Sequence, residues 1–328
     1  MSVHPSAWMI YTEFVAHSRH SALGKFIDGT FTNPAGTRTY NVHVPSRYQG
    51  QPLPLLVMLH GCAQDPEDFA AGTCMNVLAD KQPCFVVYPA QPKSANPMKC
   101  WNWFEAHDQQ RDQGEPSIIA GITREVMSTY HIDEKRVFIA GLSAGGAMAI
   151  TMAATYPDLY AAVGVSAGMP YRSAHNMFGA ITAMRDGGAT TQPLDGKAIP
   201  IIVFHGDQDS TVHPRNGEQI ISQWITSMPR PLLSSQPPEV ALAKGLAYTR
   251  TNYFDAAGEL AAEHWLVKGG GHAWFGGSPR GSYSDSKGPD VSEEMLRFFL
   301  HRARAGASDR GGRPHRRLID RLLGSFKD

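Results

Sequence analysis

Ser143, Asp209 and His272 follow one another as serine, acid and histidine along a chain of 328 residues. Each stands where acyl transfer would need it. Ser143 is the centre of Gly141-Leu142-Ser143-Ala144-Gly145, a G-x-S-x-G pentapeptide inside "VFIAGLSAGGAMA". The stretch before it, Arg136 to Ala140, reads as a buried strand, and Ala144 onward reads as a helix. A serine in that turn is the arrangement of a nucleophile elbow. The flanking glycines lack a Cβ, so strand and helix can approach closely. The hydroxyl then projects above the strand end beside a helix N-terminus, where the Ala144 N–H can face a developing oxyanion. The pentapeptide alone is a moderate signal, because a glycine-serine turn is often only a turn.

The partners decide its meaning. "IPIIVFHGDQDSTVHP" places Asp207 and Asp209 just past a strand end. Asp209 is the better acid, since Asp207 follows the Gly206 turn immediately, although either could cap that turn. "LVKGGGHAWFGG" places His272 after three glycines that allow a sharp turn. In that arrangement His272 takes the Ser143 proton as general base and returns it to the leaving group. Asp209 fixes the imidazole tautomer. A second oxyanion donor is expected at the Cys62 backbone N–H, because "VMLHGCAQD" ends an early strand with His60-Gly61-Cys62, like an HG-type oxyanion loop.

Such residues need a rigid frame. "GKFIDGTFTNPAGTRTYNVHVP" reads as strand, Asn-Pro-Ala-Gly turn and strand. After it, apolar runs alternate with helical segments. "LPLLVMLHG", "CFVVYPA", "RVFIAG", "YAAVGVSAG" and "IPIIVFHG" read as strands, with "AYTRTNYF" and "AEHWLVKG" as late ones. "DFAAGTCMNVLADKQ", "PSIIAGITREVMSTY", "AGGAMAITMAATYP", "RNGEQIISQWITSM" and "PDVSEEMLRFFLHRARA" read as helices. Asp290 and Glu293 are spaced as a capping box at the start of the last. Alternation of this kind predicts a mostly parallel sheet with helices on both faces. The expected organisation is an N-terminal extension over residues 1–24, one catalytic domain over 25–303, and a basic C-terminal tail over 304–328.

Composition narrows the function classes. Thirty Lys and Arg balance thirty Asp and Glu, and 42% of residues are hydrophobic. That balance argues against nucleic acid or an anionic membrane surface as the main partner. No apolar run is long enough for a transmembrane segment, and the N-terminus shows no clear signal peptide. The four cysteines, Cys62, Cys74, Cys84 and Cys100, allow three pairings, among which spacing does not choose. No zinc-type spacing is present, and the expected chemistry needs no metal and no cofactor.

Several segments together resemble the polyhydroxybutyrate depolymerase family of esterases. They are "LHGCAQDPEDFAAGTCMNVLAD", "CWNWF", "RDQGEPSIIAGI", "RVFIAGLSAGGAMA", "YPDLYAAVGVSAG", "FHGDQDSTVHPRN" and "GGGHAWFGGSPRGSYSD". The resemblance spans most of Lys25 to Ala303. It implies an α/β-hydrolase fold and a serine carboxylesterase acting on short-chain hydroxyalkanoate esters. It carries over Ser143, Asp209 and His272 as a triad and the N–H groups of Cys62 and Ala144 as an oxyanion hole. It also places Trp101 and Trp103 near a substrate cleft. They and Trp274, just past His272, are candidate substrate-binding residues, with core packing as the alternative. On the same footing, a Cys62–Cys100 bridge would tie the oxyanion loop to the tryptophan segment, and a Cys74–Cys84 bridge would cross a helix-to-strand connection. Secreted depolymerases of this type typically add a signal peptide, a linker and a polymer-binding domain. None is read here, so soluble oligomers, amorphous polymer or other short acyl esters are the expected substrates. Feruloyl and acetylxylan esterases share the same triad and form the alternative reading. A non-catalytic binding protein of the same fold is a third.

Overall fold

A computed structural model describes residues 24–188, 194, 198–227, 234–235 and 237–302. The expected N-terminal extension, apart from Gly24, and the expected basic tail lie outside the described residues. Their core is an eleven-stranded sheet. Its strands are β1 (Lys25–Asn33), β2 (Gly36–Val44), β3 (Leu53–Leu59), β4 (Phe85–Pro89), β5 (Ile132–Leu142), β6 (Ala162–Ser166), β7 (Ile201–Gly206), β8 (Ser234–Ser235), β9 (Glu239–Ala243), β10 (Leu246–Phe254) and β11 (Leu260–Val267). The spatial order is β1-β2-β4-β3-β5-β6-β7-β11-β10-β8, with β9 paired to β10. The central run from β4 to β11 is parallel, and the pairs at both edges are antiparallel.

The reason lies in the side chains. β3 (LPLLVML), β4 (FVVYP), β6 (AVGVS) and β7 (IIVFHG) are buried at every position. A strand apolar on both faces needs helices above and below it, which is what parallel crossovers supply. Leu55, Val57, Leu59, Ile201 and Val203 point into one core layer. That layer is shared with α3 (Gly114–Thr129), α4 (Ala144–Thr155) and α6 (Arg215–Thr226). Leu56, Met58, Ile202 and Phe204 point into the other, against α1 (Pro66–Thr73), α2 (Met75–Lys81) and α7 (Val291–Leu300). The remaining elements are a short 3-10 helix (Ala106–Gln109), α5 (Met177–Asp186) and the two-residue strands β12 (Trp274–Phe275) and β13 (Ser284–Asp285), which pair with each other. The architecture is the α/β-hydrolase fold.

Three local differences from the sequence reading have physical causes. The helix expected over "DFAAGTCMNVLADKQ" is two helices, broken at Cys74, whose backbone is left-handed at φ 54°. α5 is absent from the sequence reading, because its apolar residues Met177, Phe178 and Ile181 face outward and leave no amphipathic period to read. β9 is absent from it too, since its apolar Val240 and Leu242 face outward and its frame comes from pairing with β10. Of the expected capping box, the N-cap bond forms: the Asp290 carboxylate accepts from the Glu293 N–H at 3.1 Å.

The cysteines divide. Cys62 and Cys100 are joined by a disulfide, while Cys74 and Cys84 are free thiols. The second expected bridge is therefore corrected. α2 separates Cys74 from Cys84 by about 10 Å of helix rise, beyond the ~7 Å Cα reach of a disulfide. Cys74 Sγ instead turns back to the Ala71 carbonyl at 3.6 Å. Cys84 is sealed in the core, where burial raises its thiol pKa to about 12.

Candidate active site

Ser143, Asp209 and His272 are delivered by β5, β7 and β11, in whose ordered run only β6 lies between β5 and β7. All three residues follow the C-terminal ends of parallel strands. Open parallel sheets place their ligand crevices at that end. Ser143 sits at φ 56°, ψ −120° as the residue before α4. A non-glycine residue held there stores backbone strain, and such strain concentrates at functional sites. The turn is clamped on both sides: Ser143 N donates to Ser166 O, and Ala147 N donates to Ser143 O, both at 2.9 Å. Ser166 also donates through Oγ to Ala273 O at 3.4 Å. One residue of β6 thus touches both the serine turn and the backbone next to His272.

The glycines of the pentapeptide are required by contact. A Cβ on Gly145 would stand 2.1 Å from Leu59 O and 2.5 Å from His60 O. A Cβ on Gly141 would stand 2.3 Å from Gly145 O. Backbone carbonyls cannot yield as side-chain tips do. Gly145→Ala is therefore expected to force β3 from α4. We expect a fall in Tm of about 5 °C or more, from an overpacking cost of roughly 3 kcal/mol. Thermal denaturation followed by circular dichroism reads it.

Asp209 and His272 form a pair. His272 Nδ1 and Asp209 Oδ2 are 2.7 Å apart. An ionised carboxylate only accepts, so Nδ1 carries the proton. Asp209 Oδ1 accepts the N–H groups of Thr211 at 2.9 Å and Val212 at 2.8 Å. A second imidazole, His205, lies with Nε2 at 3.5 Å from Asp209 Oδ2 and 2.8 Å from Val212 O. Burial pushes the Asp209 pKa up, but hydrogen bonds from His205, His272 and Val212 N, with the His272 charge, outweigh it. They hold the carboxyl well below the usual range. Asp207 serves the backbone instead. Its Oδ1 accepts the Gly269 N–H at 2.7 Å and fixes the loop that leads to His272.

The loop after β3 carries Cys62. Gly61 N donates to Gln64 Oε1 at 2.8 Å, and Ala63 N donates to Met98 O at 2.7 Å. The disulfide joins Cys62 to the segment at Cys100. Gly61 abuts the residue before the serine: a Cβ there would be 3.5 Å from Leu142 O. Ala144 N is at the first turn of α4.

Trp101, Trp103 and Trp274 are all buried. Trp274 donates through Nε1 to Ser292 Oγ at 2.9 Å and packs edge-on to Phe69. Trp101 lies against His60, with ring centroids 5.7 Å apart, and Trp103 lies against Phe104. Trp101 and Trp103 belong to one core layer and Trp274 to the other. The accessible aromatic is Tyr283, 48% exposed, edge-on to the His272 ring at 6.2 Å. Tyr283 O accepts the Trp274 N–H, and the preceding Ser282 is bound to Asp68 and Gln64. The signal for Tyr283 in the sequence is a lone aromatic in a Gly/Ser loop past the histidine. Among the described residues, no group of three or more His, Cys, Asp or Glu could hold a metal ion, and no helix is long and apolar enough to cross a membrane.

Residues 38–228 match the family described as esterase PHB depolymerase. Poly(3-hydroxyalkanoate) depolymerase C of Paucimonas lemoignei is 34% identical over 255 residues, covering 74% of this chain and 59% of that protein. A probable acetylxylan esterase A of Aspergillus fumigatus is 28% identical over 211 residues, covering 59% of this chain and 56% of that protein. The chain therefore spans little more than half the length of these curated relatives. Among solved structures, the acetyl xylan esterase from Aspergillus awamori superposes with a TM-score of 0.60 at 21% identity, over 75% of this chain and 94% of that one. That similarity establishes the fold.

Proposed function

The chain belongs to the esterase PHB depolymerase family, and we propose that it is a serine carboxylesterase working through Ser143, His272 and Asp209. One observation carries the reading. A serine held at positive φ on the end of β5 shares a sheet edge with a histidine whose Nδ1 is engaged by a buried carboxylate. Ser143 Oγ attacks the ester carbonyl while His272 Nε2 takes its proton. The tetrahedral oxyanion is met by the N–H groups of Ala144 and Cys62. The intermediate collapses, the leaving alkoxide takes the proton from His272, and an acyl-serine remains. Water, activated by the same imidazole, releases the acid and restores Ser143.

The proposed substrates are short-chain hydroxyalkanoate esters or oligomers. The depolymerase relative supports that class. The acetylxylan esterase relatives support a second reading, removal of acyl groups from carbohydrate, by the same steps. The triad sets the reaction, and the surroundings of the triad, Tyr283 beside His272 among them, set the acyl and alcohol groups that fit. The deciding experiment compares kcat/KM on a soluble 3-hydroxybutyrate oligomer and on an acetylated xylo-oligosaccharide. We expect the oligomer to be preferred by about 10-fold or more, the scale of pocket discrimination. The reverse preference would assign the enzyme to carbohydrate esters, and hydrolysis of neither would remove the esterase reading.

A further inference from the structure

Tyr283 is an aromatic residue in a place that strains it. It is half-exposed, and its backbone is left-handed at φ 51°, a region that a bulky residue rarely occupies. Asparagine or glycine would serve such a turn with less strain. Around it the loop is tightly built. Tyr283 O accepts the Trp274 N–H at 2.7 Å, just past His272. The Ser282 N–H donates to Asp68 Oδ1 at 2.9 Å, and Ser282 O accepts from Gln64 Nε2 at 2.9 Å. Gln64 Oε1 accepts the Gly61 N–H at 2.8 Å, so one side chain ties the Tyr283 loop to the loop after β3. A Cβ on Gly281 would stand 2.4 Å from both Asp68 O and Gly72 Cα, so the loop backbone lies directly on α1. A strained, half-exposed ring on so rigid a loop contributes little to the fold, and strain of this kind collects at ligand contacts.

The ring stands edge-on to His272, with centroids 6.2 Å apart and planes at 77°. His272 presents Nδ1 to Asp209. The Asp209 side chain is wholly buried, whereas that of His272 keeps 10% of its surface in solvent. The half-exposed tyrosine therefore flanks the imidazole on its solvent side. In acylation the leaving alkoxide takes its proton from His272, so it must come within hydrogen-bond reach of that imidazole. The alcohol half of the ester thus lies against whatever flanks the imidazole on its open side. The acyl half is bound to Ser143 instead. In deacylation the alcohol has left, and a water stands in its place.

We propose that Tyr283 selects the alcohol half of the ester: its ring is a fixed apolar wall beside His272 that favours alcohols with an extended apolar face over methanol-sized ones. A rigid aromatic supplies such a surface with little side-chain freedom left to lose on binding. In a hydroxyalkanoate oligomer that half is the next alkyl-branched unit of the chain. The inference rests on the esterase reading above.

The test varies one half of the ester at a time. kcat/KM is measured on methyl and n-butyl 3-hydroxybutyrate, which share an acyl group, and on methyl acetate, which shares its alcohol with the first. We expect the unaltered protein to prefer the butyl over the methyl ester by about 10-fold, the scale on which methylenes discriminate in an apolar pocket. Tyr283→Ala should reduce that preference to within about twofold, while the ratio between the two acyl groups moves by less than about twofold. Tyr283→Phe should keep the preference, since the ring supplies it. Tyr283→Asn, whose side chain suits the left-handed backbone, should match Tyr283→Ala and replaces it if alanine impairs folding. Single-turnover rates separate selection from a displaced His272: Tyr283→Ala should slow acylation by the butyl ester more than it slows hydrolysis of the resulting acyl-enzyme. The inference is overturned by the lack of a butyl preference in the unaltered protein, by its survival in Tyr283→Ala or Tyr283→Asn, or by its loss in Tyr283→Phe. Equal slowing of acylation and deacylation would also overturn it, because Tyr283 would then act by holding His272. Hydrolysis of none of these esters by the unaltered protein would remove the esterase reading and this inference with it.

Discussion

Replacing Ser143 by alanine is expected to lower kcat on any ester substrate by about 10⁴-fold or more, with the fold retained. The magnitude follows from the role. Without Oγ no acyl-enzyme forms, and what survives is the modest acceleration left to an oxyanion hole and bound water. The fold should persist because the contacts that hold the elbow are made by backbone: Ser143 N to Ser166 O, and Ala147 N to Ser143 O. Alanine keeps both. The measurement is single-turnover release of a chromogenic alcohol from a short acyl ester, with intact-protein mass to detect the acyl adduct. The unaltered enzyme should show a burst and a mass gain, and the variant neither. A burst retained in Ser143→Ala would move the nucleophile elsewhere and end the mechanism proposed here.

Asp209→Asn is expected to cost about 10⁴-fold in kcat, by analogy with the same change in a serine-protease triad. The site explains why so small a change matters. Oδ1 of Asp209 accepts from Thr211 N and Val212 N, which asparagine can preserve with its carbonyl oxygen. Its amide nitrogen must then take the place of Oδ2. There it faces His272 Nδ1 at 2.7 Å and His205 Nε2 at 3.5 Å, both of which are donors. Donor meets donor. The economical escape is for His272 to shift its proton to Nε2, and an imidazole protonated there cannot accept from Ser143. The stabilising charge for the imidazolium is lost at the same time. In the unaltered protein the Asp209 carboxyl is held well below its usual range despite burial. The carboxylate that engages His272 therefore stays ionised through mildly acid as well as neutral pH. kcat across pH 5–9 reads the effect. A variant that keeps more than about one-tenth of the activity throughout would show that Asp209 is not the triad acid, since the expected loss is about 10⁴-fold.

How much was legible follows from which interactions are local. The elbow was readable because strand, Gly-x-Ser-x-Gly and helix lie within a few residues, and their geometry is a property of that short backbone. The expected order of serine, acid and histidine came from strand ends: β5 and β7 finish in buried apolar runs, whereas β11 (LAAEHWLV) is only partly buried. The alternating core was readable for the same reason: β3, β4, β6 and β7 are apolar on both faces.

Other features are long-range and needed the fold. Asp207 and Asp209 differ by two positions, and only the packing of their loop against the Gly269 turn gives Asp207 to the backbone and leaves Asp209 facing His272. Of three possible cysteine pairings, one bond formed, because the loop after β3 and the segment at Cys100 are brought together. Cys74 and Cys84 are kept apart by a helix. Trp101, Trp103 and Trp274 were candidates for a substrate wall by type and position, yet tertiary packing turned them inward, where large aromatic surfaces gain most from leaving water. Tyr283 was left at the rim because its loop is anchored through Ser282, Asp68 and Gln64. Sequence order alone determined which chemical groups this protein has and the strand ends that carry them. The tertiary structure decided their partners, because a hydrogen bond between residues sixty positions apart depends on where two loops meet and on nothing local to either.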